Sequence, residues 1–169
     1  SSELNKVVVG KTDLITGDKI IIKEDSNKKE SNIEISGVAS WNTTSSEDGA
    51  NITYSDDTQL IYKYNNSGNI ASIYKKDSKD LPQELVVTYE YDSMGQLIRE
   101  NNKELGESIE YEYDANGNII NSKSYIYTQE KVLSNALENH TWKYEDNTWR
   151  DKLTSYDGKS ISYDASGNP

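Results

Sequence analysis

The sequence predicts an all-β protein made of consecutive antiparallel β-hairpins that form a curved, open sheet. Three observations lead to this prediction: strands with alternating apolar and polar residues, tight turns rich in Asp, Asn and Gly, and the recurrence of both together. The stretch Ser108–Tyr127 shows the unit most clearly. In it Ile109, Tyr111 and Tyr113 alternate with two glutamates, as in a strand with one buried and one solvated face.

A tight turn follows this strand at residues 114–117, with the sequence Asp-Ala-Asn-Gly. Aspartate bonds readily to its own turn backbone, and an Asn-Gly pair accepts positive φ angles at little steric cost. A β-branched run then resumes at Ile119 and Ile120. We therefore predict that this stretch forms two antiparallel strands about a bend near Asn116.

The same frame recurs along the chain, which indicates a repeat protein. It reads apolar, x, aromatic, x, Tyr, acidic or amide residue, x, x, Gly, amide, aliphatic. The closing tyrosines at 64, 91, 113, 144 and 163 lie 27, 22, 31 and 19 residues apart, so a fixed strand and turn alternate with a return of variable length. The copy that contains Tyr144 is degenerate, with Thr148 in place of the turn glycine.

Structural roles in the repeat are predicted for one set of residues. The tyrosines are expected to pack in ladders along the sheet, and the glycines to adopt left-handed conformations after each turn. The set is Tyr62, Tyr64, Gly68, Tyr89, Tyr91, Asp92, Gly95, Tyr111, Tyr113, Asp114, Gly117, Tyr163, Asp164 and Gly167.

The apolar content is barely enough for a core. Leu, Ile, Val and Phe number 33 of 169 residues, just under the fraction of about 20% that, with a high net charge, is typical of disordered chains. The 13 Tyr and 3 Trp offset this deficit because their large side chains supply buried area. We expect a thin, tyrosine-rich core in which the hydroxyl groups reach water or the backbone.

Charge and composition exclude several classes of partner. A net charge of −11 argues against nucleic acid and against an anionic membrane surface, because both need a basic face. With no Cys, the chain forms neither disulfides nor thiolate metal sites. No apolar run approaches the roughly 18 residues of a membrane span, and the first residues lack a leader pattern. We expect no membrane insertion, with any signal peptide or anchor outside this sequence.

Residues 1–50 contain no clean copy of the frame. They are predicted to be diverged β repeats of the same sheet, continuous in one domain with the regular hairpins of residues 51–169. The predicted strands are Lys6–Val9, Lys19–Lys23 and Asn32–Ile35, and the predicted turn and loop are Thr16–Asp18 and Asp25–Ser31.

Two segments leave alternatives open. Trp41 heads the polar stretch Trp41–Gly49 and is either a core residue, which we favour, or an exposed contact. Glu130–Asn139 is the one segment in which a short helix competes with a strand, since the spacing of its aliphatic residues fits two or three helical turns.

The repeated motif resembles the YD repeat of the rearrangement-hotspot (Rhs) proteins. The segments YEYDSMGQL at residues 89–97 and YEYDANGNI at residues 111–119 carry the resemblance. The last stretch, Trp149–Pro169, is also similar to a segment common in bacterial YD-repeat proteins. The resemblance covers residues 51–169 and extends to residues 1–50 only by extrapolation.

The resemblance implies a large secreted or cell-surface bacterial protein, of the wall-associated or the polymorphic-toxin type. Its repeats would spiral into a hollow β-shell that encloses a C-terminal toxin or effector, and the repeats themselves would not be catalytic. This chain would be a section of shell wall, with adjacent repeats and the enclosed effector as partners. It is too short to close a shell and lacks the self-cleaving aspartate motif, so self-cleavage is not assigned.

Few residues suggest chemistry. Asp114, Asn116 and Asn118 alternate as in a calcium loop, but the glycine comes at the fourth position instead of the sixth, and Tyr125 stands where a bidentate Glu is required. The 29 acidic residues offer many pairs for glycoside hydrolysis, yet spacing selects none. His140 occupies an apolar slot of the degenerate repeat and is interpreted as a strand residue. We predict no catalytic, cofactor-binding or metal-binding residue.

Three functions follow in order of preference. The first is the structural shell section. The alternative is a carbohydrate-binding module, in which exposed Tyr and Trp rows stack on the sugar rings of a cell-surface glycan while Asp and Asn bond its hydroxyls. The third is a hydrolase, which needs one specific acidic pair. An open sheet also has two bare edges, so edge-to-edge self-association is expected.

Overall fold

The computed structural model describes residues 6–10, 20–25, 29–35 and 39–169. It confirms the predicted fold class, because the strands form an open antiparallel sheet. The described residues contain no helix, and therefore none with the length and apolar character that a membrane span needs.

The chain divides into two compact units, Ser1–Val86 and Val87–Pro169, and each is a meander whose strands follow chain order. The first contains β1 (Lys6–Gly10), β2 (Ile20–Asp25), β3 (Glu30–Ile35), β4 (Ala39–Ser45), β5 (Gly49–Tyr54), β6 (Gln59–Tyr64) and β7 (Ile70–Lys76). β8 (Glu84–Tyr91) starts at the end of the first unit. The second contains β9 (Leu97–Asn102), β10 (Glu107–Tyr113), β11 (Ile119–Ile126), β12 (Glu138–Lys143), β13 (Ser155–Tyr156) and β14 (Lys159–Ser160).

The first fifty residues agree with the strand predictions where they are described. β1, β2 and β3 match the three predicted strands within a few residues, whereas the predicted turn Thr16–Asp18 lies outside the described residues. Residue 50, where diverged repeats were expected to give way to regular ones, lies within β5, and the predicted domain assignment stays a prediction.

The stretch Ser108–Tyr127 is the predicted hairpin of two antiparallel strands, β10 and β11. Its register shifts at the closing tyrosine: Glu112 pairs with Asn121, but Tyr113 pairs with Ile119. The return strand therefore carries one extra residue, a β-bulge that increases the local twist. The same shift occurs at Tyr64, which pairs with Ile70, and at Tyr91, which pairs with Leu97.

The turn after the closing tyrosine is held by the side chain that follows it. One carboxylate oxygen of Asp114, Oδ1, accepts the backbone N–H groups of Asn116 at 2.8 Å and Asn118 at 2.9 Å. The backbone N–H of Gly117 donates to the Asp114 carbonyl at 3.1 Å. The equivalent side chains Asn65, Asp92 and Asp164 each accept two backbone N–H groups in the same way. The predicted turn chemistry is thus present in four repeats.

The repeat glycines have the left-handed conformations expected of them. The φ angles are 81° at Gly68, 80° at Gly95, 88° at Gly117 and 82° at Gly167. Gly106, which lies outside the frame, is also left-handed with φ at 71°. Its loop between β9 and β10 therefore has the same backbone requirement, which the frame alone did not reveal.

Two ambiguous segments are resolved by the structure. Trp41 is half-buried in β4, and the polar stretch that it heads forms the β4–β5 hairpin. Residues 130–137 form neither a helix nor a strand, and β12 begins only at Glu138.

Burial confirms the expectation of a thin core and shows that much of it is polar. Among the described side chains, the buried apolar ones are Ile61, Val86, Val87 and Tyr125. The buried polar ones are Arg99, Asn101, Ser108, Ser122 and Ser124. Asn101 is 2% exposed and Ser108 is 0% exposed, so the most deeply buried side chains of the second unit are hydrogen-bonding groups.

Candidate functional site

The predicted repeat tyrosines lie in a half-buried layer of the sheet. Tyr62, Tyr64, Tyr89, Tyr91, Tyr111, Tyr113 and Tyr163 are all partly exposed. Burial raises the pKa of four of these phenols, Tyr62, Tyr91, Tyr111 and Tyr113, because their ionised forms lose hydration.

The hydroxyl groups of two closing tyrosines tie their strand to the preceding hairpin. The Tyr113 hydroxyl donates to the Leu97 carbonyl at 2.6 Å, and the Tyr163 hydroxyl donates to the Leu153 carbonyl at 2.9 Å. In both cases the phenol ring packs while its polar end reaches the backbone. This agrees with the expected use of tyrosine in place of phenylalanine.

A polar layer on the other face of the second unit was not predicted. Asn101 donates to the Thr88 hydroxyl at 2.9 Å, which connects β9 to β8. Next to it in β10, Ser108 lies opposite Asn101 in the sheet and donates its hydroxyl to the Thr128 carbonyl at 3.1 Å. The Thr128 N–H in turn donates to the Ser108 oxygen at 3.0 Å. These bonds attach the strap, defined here as residues 128–137, to the sheet.

Arg99 binds the strap to the sheet. It is 6% exposed, and its Nε donates to Asn101 Oδ1 at 2.9 Å. One terminal nitrogen, Nη2, donates to the carbonyls of Thr128 at 3.3 Å and Glu130 at 2.6 Å. The other, Nη1, reaches the Lys131 carbonyl at 3.5 Å. Three main-chain oxygens thus compensate the buried guanidinium, whose planar fork suits several acceptors at once.

Sequence reasoning missed this layer because the hydrophobic frame assigns no role to polar strand residues. A weak signal existed, since Arg99 is one of only two arginines and interrupts the apolar start of β9. The segment that covers it has no regular pattern, and its course over the sheet is a tertiary property.

An aromatic cluster lies where β12 meets the β13–β14 hairpin. The rings of His140 and Tyr156 are stacked, with centroids 5.7 Å apart and planes 18° apart. The Trp142 ring lies 5.4 Å from the Tyr156 ring at 47°. Tyr156 is 37% exposed, so this group of three rings reaches the surface.

Two carboxylates bracket the imidazole of this cluster. His140 Nδ1 lies 2.8 Å from Asp157 Oδ2, and Nε2 lies 3.3 Å from Glu138 Oε2. The Tyr156 hydroxyl is also 3.0 Å from Nδ1. Asp157 further accepts the backbone N–H of Thr141 at 2.8 Å, which fixes the tip of the β13–β14 hairpin against β12.

These contacts favour the charged forms of both groups. The hydrogen bonds to Asp157 and then to Glu138 raise the pKa of His140 above its ordinary value of 6.5. The bond from His140 is the largest cause that lowers the pKa of Asp157. The stacked rings and these hydrogen bonds join β12 to the β13–β14 hairpin.

The predicted turn carboxylates do not converge on a metal site. In Asp92, Asp114 and Asp164, one carboxylate oxygen, Oδ1, accepts two backbone N–H groups of its own turn. No group of three or more His, Asp or Glu side chains in the described part of the chain is placed to hold a metal ion.

Comparison with known proteins adds no assignment. No protein-family model matches this chain, and no curated protein matches it. The resemblance to YD-repeat proteins therefore rests on the motifs in the sequence, and it stays a prediction.

Replacing Arg99 by Met should lower the free energy of unfolding by about 2–3 kcal/mol, because the strap carbonyls lose a charged donor in a buried place. Arg150→Met is the matched control, since Arg150 is exposed, and it should change stability by no more than about 0.5 kcal/mol. Urea denaturation measures both variants. Equal stabilities of the two variants would show that the guanidinium does not hold the strap.

His140 should titrate above pH 6.5, and its NMR signal is unambiguous because the chain has one histidine. Because the folded pKa is raised, its stabilising contribution is complete below pH 6.5 and is lost as the pH rises through the folded value. Asp157→Asn should bring the pKa back towards 6.5, and Glu138→Gln should do so less. A wild-type pKa at or below 6.5 would contradict this electrostatic picture.

Proposed function

We propose that this chain is a structural section of a β-sheet wall, of the YD-repeat kind, in a large secreted or cell-surface bacterial protein. The observation that carries the proposal is that four of its turns have the same hydrogen-bond pattern. Asn65, Asp92, Asp114 and Asp164 accept the same pair of backbone N–H groups, and each precedes a left-handed glycine. Chains whose structure repeats in this way are stabilised by contacts between neighbouring repeats.

The composition of the core supports a wall better than a compact catalytic domain. Few apolar side chains are buried among those that the structure describes, and the repeat tyrosines are half-buried, with the hydroxyl groups of Tyr113 and Tyr163 bound to the backbone. Such a layer is stable when water wets it on either side, because its polar groups are already paired. In this proposal the partners are adjacent repeats and an enclosed effector, and the chain itself is not an enzyme.

Lengthening the array by one repeat tests the modular role. A second copy of Val87–Ser108 inserted after Ser108 keeps the frame, because Ile109 occupies the same slot as Val87 one 22-residue step later. The variant should fold, gain strand signal in circular dichroism and keep the amide exchange protection of β10–β12.

The matched control inserts the same segment with Asp92→Ala and Gly95→Val in the new copy. Without the aspartate that accepts the turn N–H groups and without the left-handed glycine, the added turn should not form. The amides of the insert should then remain unprotected from exchange. If both insertions unfold the protein, or both leave the insert unprotected, the modular interpretation is wrong.

A second candidate function is carbohydrate binding at the aromatic cluster. The exposed ring of Tyr156 and the half-buried ring of Trp142 offer apolar faces for a sugar ring, and Glu138 and Asp157 lie beside them as acceptors for hydroxyl groups. Aromatic residues with one polar end are typical of such mixed surfaces.

Calorimetric titration of the protein with cell-wall polysaccharide fragments tests this second function. Tyr156→Ala should abolish binding, whereas Trp149→Ala should preserve it, because Trp149 is exposed but lies outside the cluster. Absence of heat at millimolar ligand would remove carbohydrate binding from consideration.

A further inference from the structure

The β10–β11 turn contains the one Asn-Gly pair of this chain, Asn116-Gly117. In the other three turns of the same kind, Ser67, Met94 and Ser166 precede the glycine. An Asn-Gly pair is chemically labile, because the nitrogen of a glycine, which carries no side chain, has an unhindered approach to the side-chain carbonyl carbon of the asparagine. One turn of the repeat therefore contains a reactive pair that the others lack.

Both reacting groups of this pair are accessible. Asn116 and Gly117 are exposed, and the Asn116 side chain forms no hydrogen bond among the residues that the structure describes. The side-chain amide is therefore free to turn its carbonyl carbon towards the next peptide nitrogen. That nitrogen is restrained by one bond, since the Gly117 N–H donates to the Asp114 carbonyl at 3.1 Å. The reaction thus needs a brief opening of the turn and no wider unfolding.

We propose that Asn116 is a site of spontaneous deamidation and that the turn bonds to Asp114 set its rate. The Gly117 nitrogen loses its proton and attacks Asn116 Cγ, and the new C–N bond forms as ammonia is expelled, which leaves a succinimide ring. Water then opens the ring at one of its two carbonyl carbons. Opening at Cγ gives aspartate, and opening at the main-chain carbonyl carbon gives isoaspartate, whose backbone runs through Cβ and Cγ. The chain gains water and loses ammonia, and the new carboxyl group is ionised at neutral pH.

The chain also has two Asp-Gly pairs, which close the same kind of ring by losing water, but the structure restrains both. Asp157 is held at its two carboxylate oxygens, by the Thr141 N–H at 2.8 Å and by His140 Nδ1 at 2.8 Å. In Asp48-Gly49 the glycine is buried, and a Cβ added there would collide with the Tyr62 carbonyl. Ring closure at either pair has to break these contacts. The pair in the β10–β11 turn is therefore the first expected to react.

The product changes the turn that contains it. Isoaspartate adds one methylene group to the backbone before Gly117, so the N–H groups of Gly117 and Asn118 are displaced from their acceptors on Asp114. The new carboxylate also adds a negative charge two residues from Asp114, and like charges repel. Asn118 further donates through Nδ2 to Asp151 Oδ1 at 3.1 Å, which links this turn to the segment before β13. Deamidation therefore loosens the turn and this link together. The reaction is independent of the proposed wall function, because it needs only this turn.

Peptide mass spectrometry of the full chain tests the site. The folded protein is kept in mildly alkaline buffer and digested with trypsin at intervals, and the fragment of residues 104–123 contains Asn116, Asn118 and Asn121. A mass gain of about 1 Da should appear in this fragment first, and fragmentation should locate it at Asn116. Asn116→Ser, which introduces the residue that the β6–β7 turn has at this place, should fold and should show no gain at that position.

Two further variants test control by the turn. Asp114→Ala removes the oxygen that accepts the N–H groups of Asn116 and Asn118, so the turn opens more often and the reaction should be about fivefold faster or more. Asp92→Ala removes the same bonds from the β8–β9 turn and should leave the rate at Asn116 unchanged. The wild-type chain in urea gives the rate of the open turn, which should exceed the native rate and is the reference if Asp114→Ala does not fold.

Amide exchange measures the structural effect. The isoaspartate form, separated by ion exchange, should lose protection at residues 118–121 and keep it in β8 and β9. The proposal is wrong if another asparagine or either Asp-Gly pair reacts first in the folded chain, or if Asn116 does not react. Equal rates in native buffer and in urea, equal rates in wild type and a folded Asp114→Ala, or full protection of residues 118–121 in the isoaspartate form would also overturn it.

Discussion

The fold depends on one small interaction, in which a side-chain oxygen next to the closing tyrosine accepts two backbone N–H groups of its own turn. This bond reverses the chain where the hydrophobic pattern ends, and the left-handed glycine at the fourth position completes the reversal. Among the side chains whose burial the structure describes, few aliphatic ones are buried, so a large core does not determine the register there. The turns set the register locally, and a bulge follows at three of the closing tyrosines, Tyr64, Tyr91 and Tyr113.

The second unit adds a polar layer to this framework. In this layer the buried side chains of Arg99 and Ser108 donate to main-chain carbonyls of the strap, and Asn101 binds Arg99 and Thr88. Buried polar groups are stable only when their bonding is satisfied, and here the strap supplies the acceptors. The strap is therefore fixed to the sheet by its backbone, although most of its residues are exposed and it has no regular secondary structure. At the surface of the same unit, Asp157 at the tip of the β13–β14 hairpin fixes the aromatic cluster of β12 through its bonds to His140 and Thr141.

The sequence predicted what depends on local pattern. The hairpin at Ser108–Tyr127, the four turns and the left-handed repeat glycines follow from alternation and turn chemistry, and all were found. The polar layer could not be predicted, because Arg99 and the strap are 29 residues or more apart and nothing local connects them. For the same reason Glu130–Asn139 suggested a helix or a strand, when its course is set by carbonyl groups that bind a distant guanidinium. His140 was correctly placed on a strand, but its two carboxylate partners come from tertiary pairing.

The guanidinium of Arg99 contacts the strap through main-chain oxygens. Every residue type has a main-chain carbonyl, so the bonds from Arg99 depend on the course of the strap backbone and not on its side chains. The exposed side chains of residues 130–132 can therefore be substituted while the main-chain bonds to Arg99 are kept. A short foreign epitope placed there would be held by the bonds from Arg99 to its backbone, whatever its own side chains are.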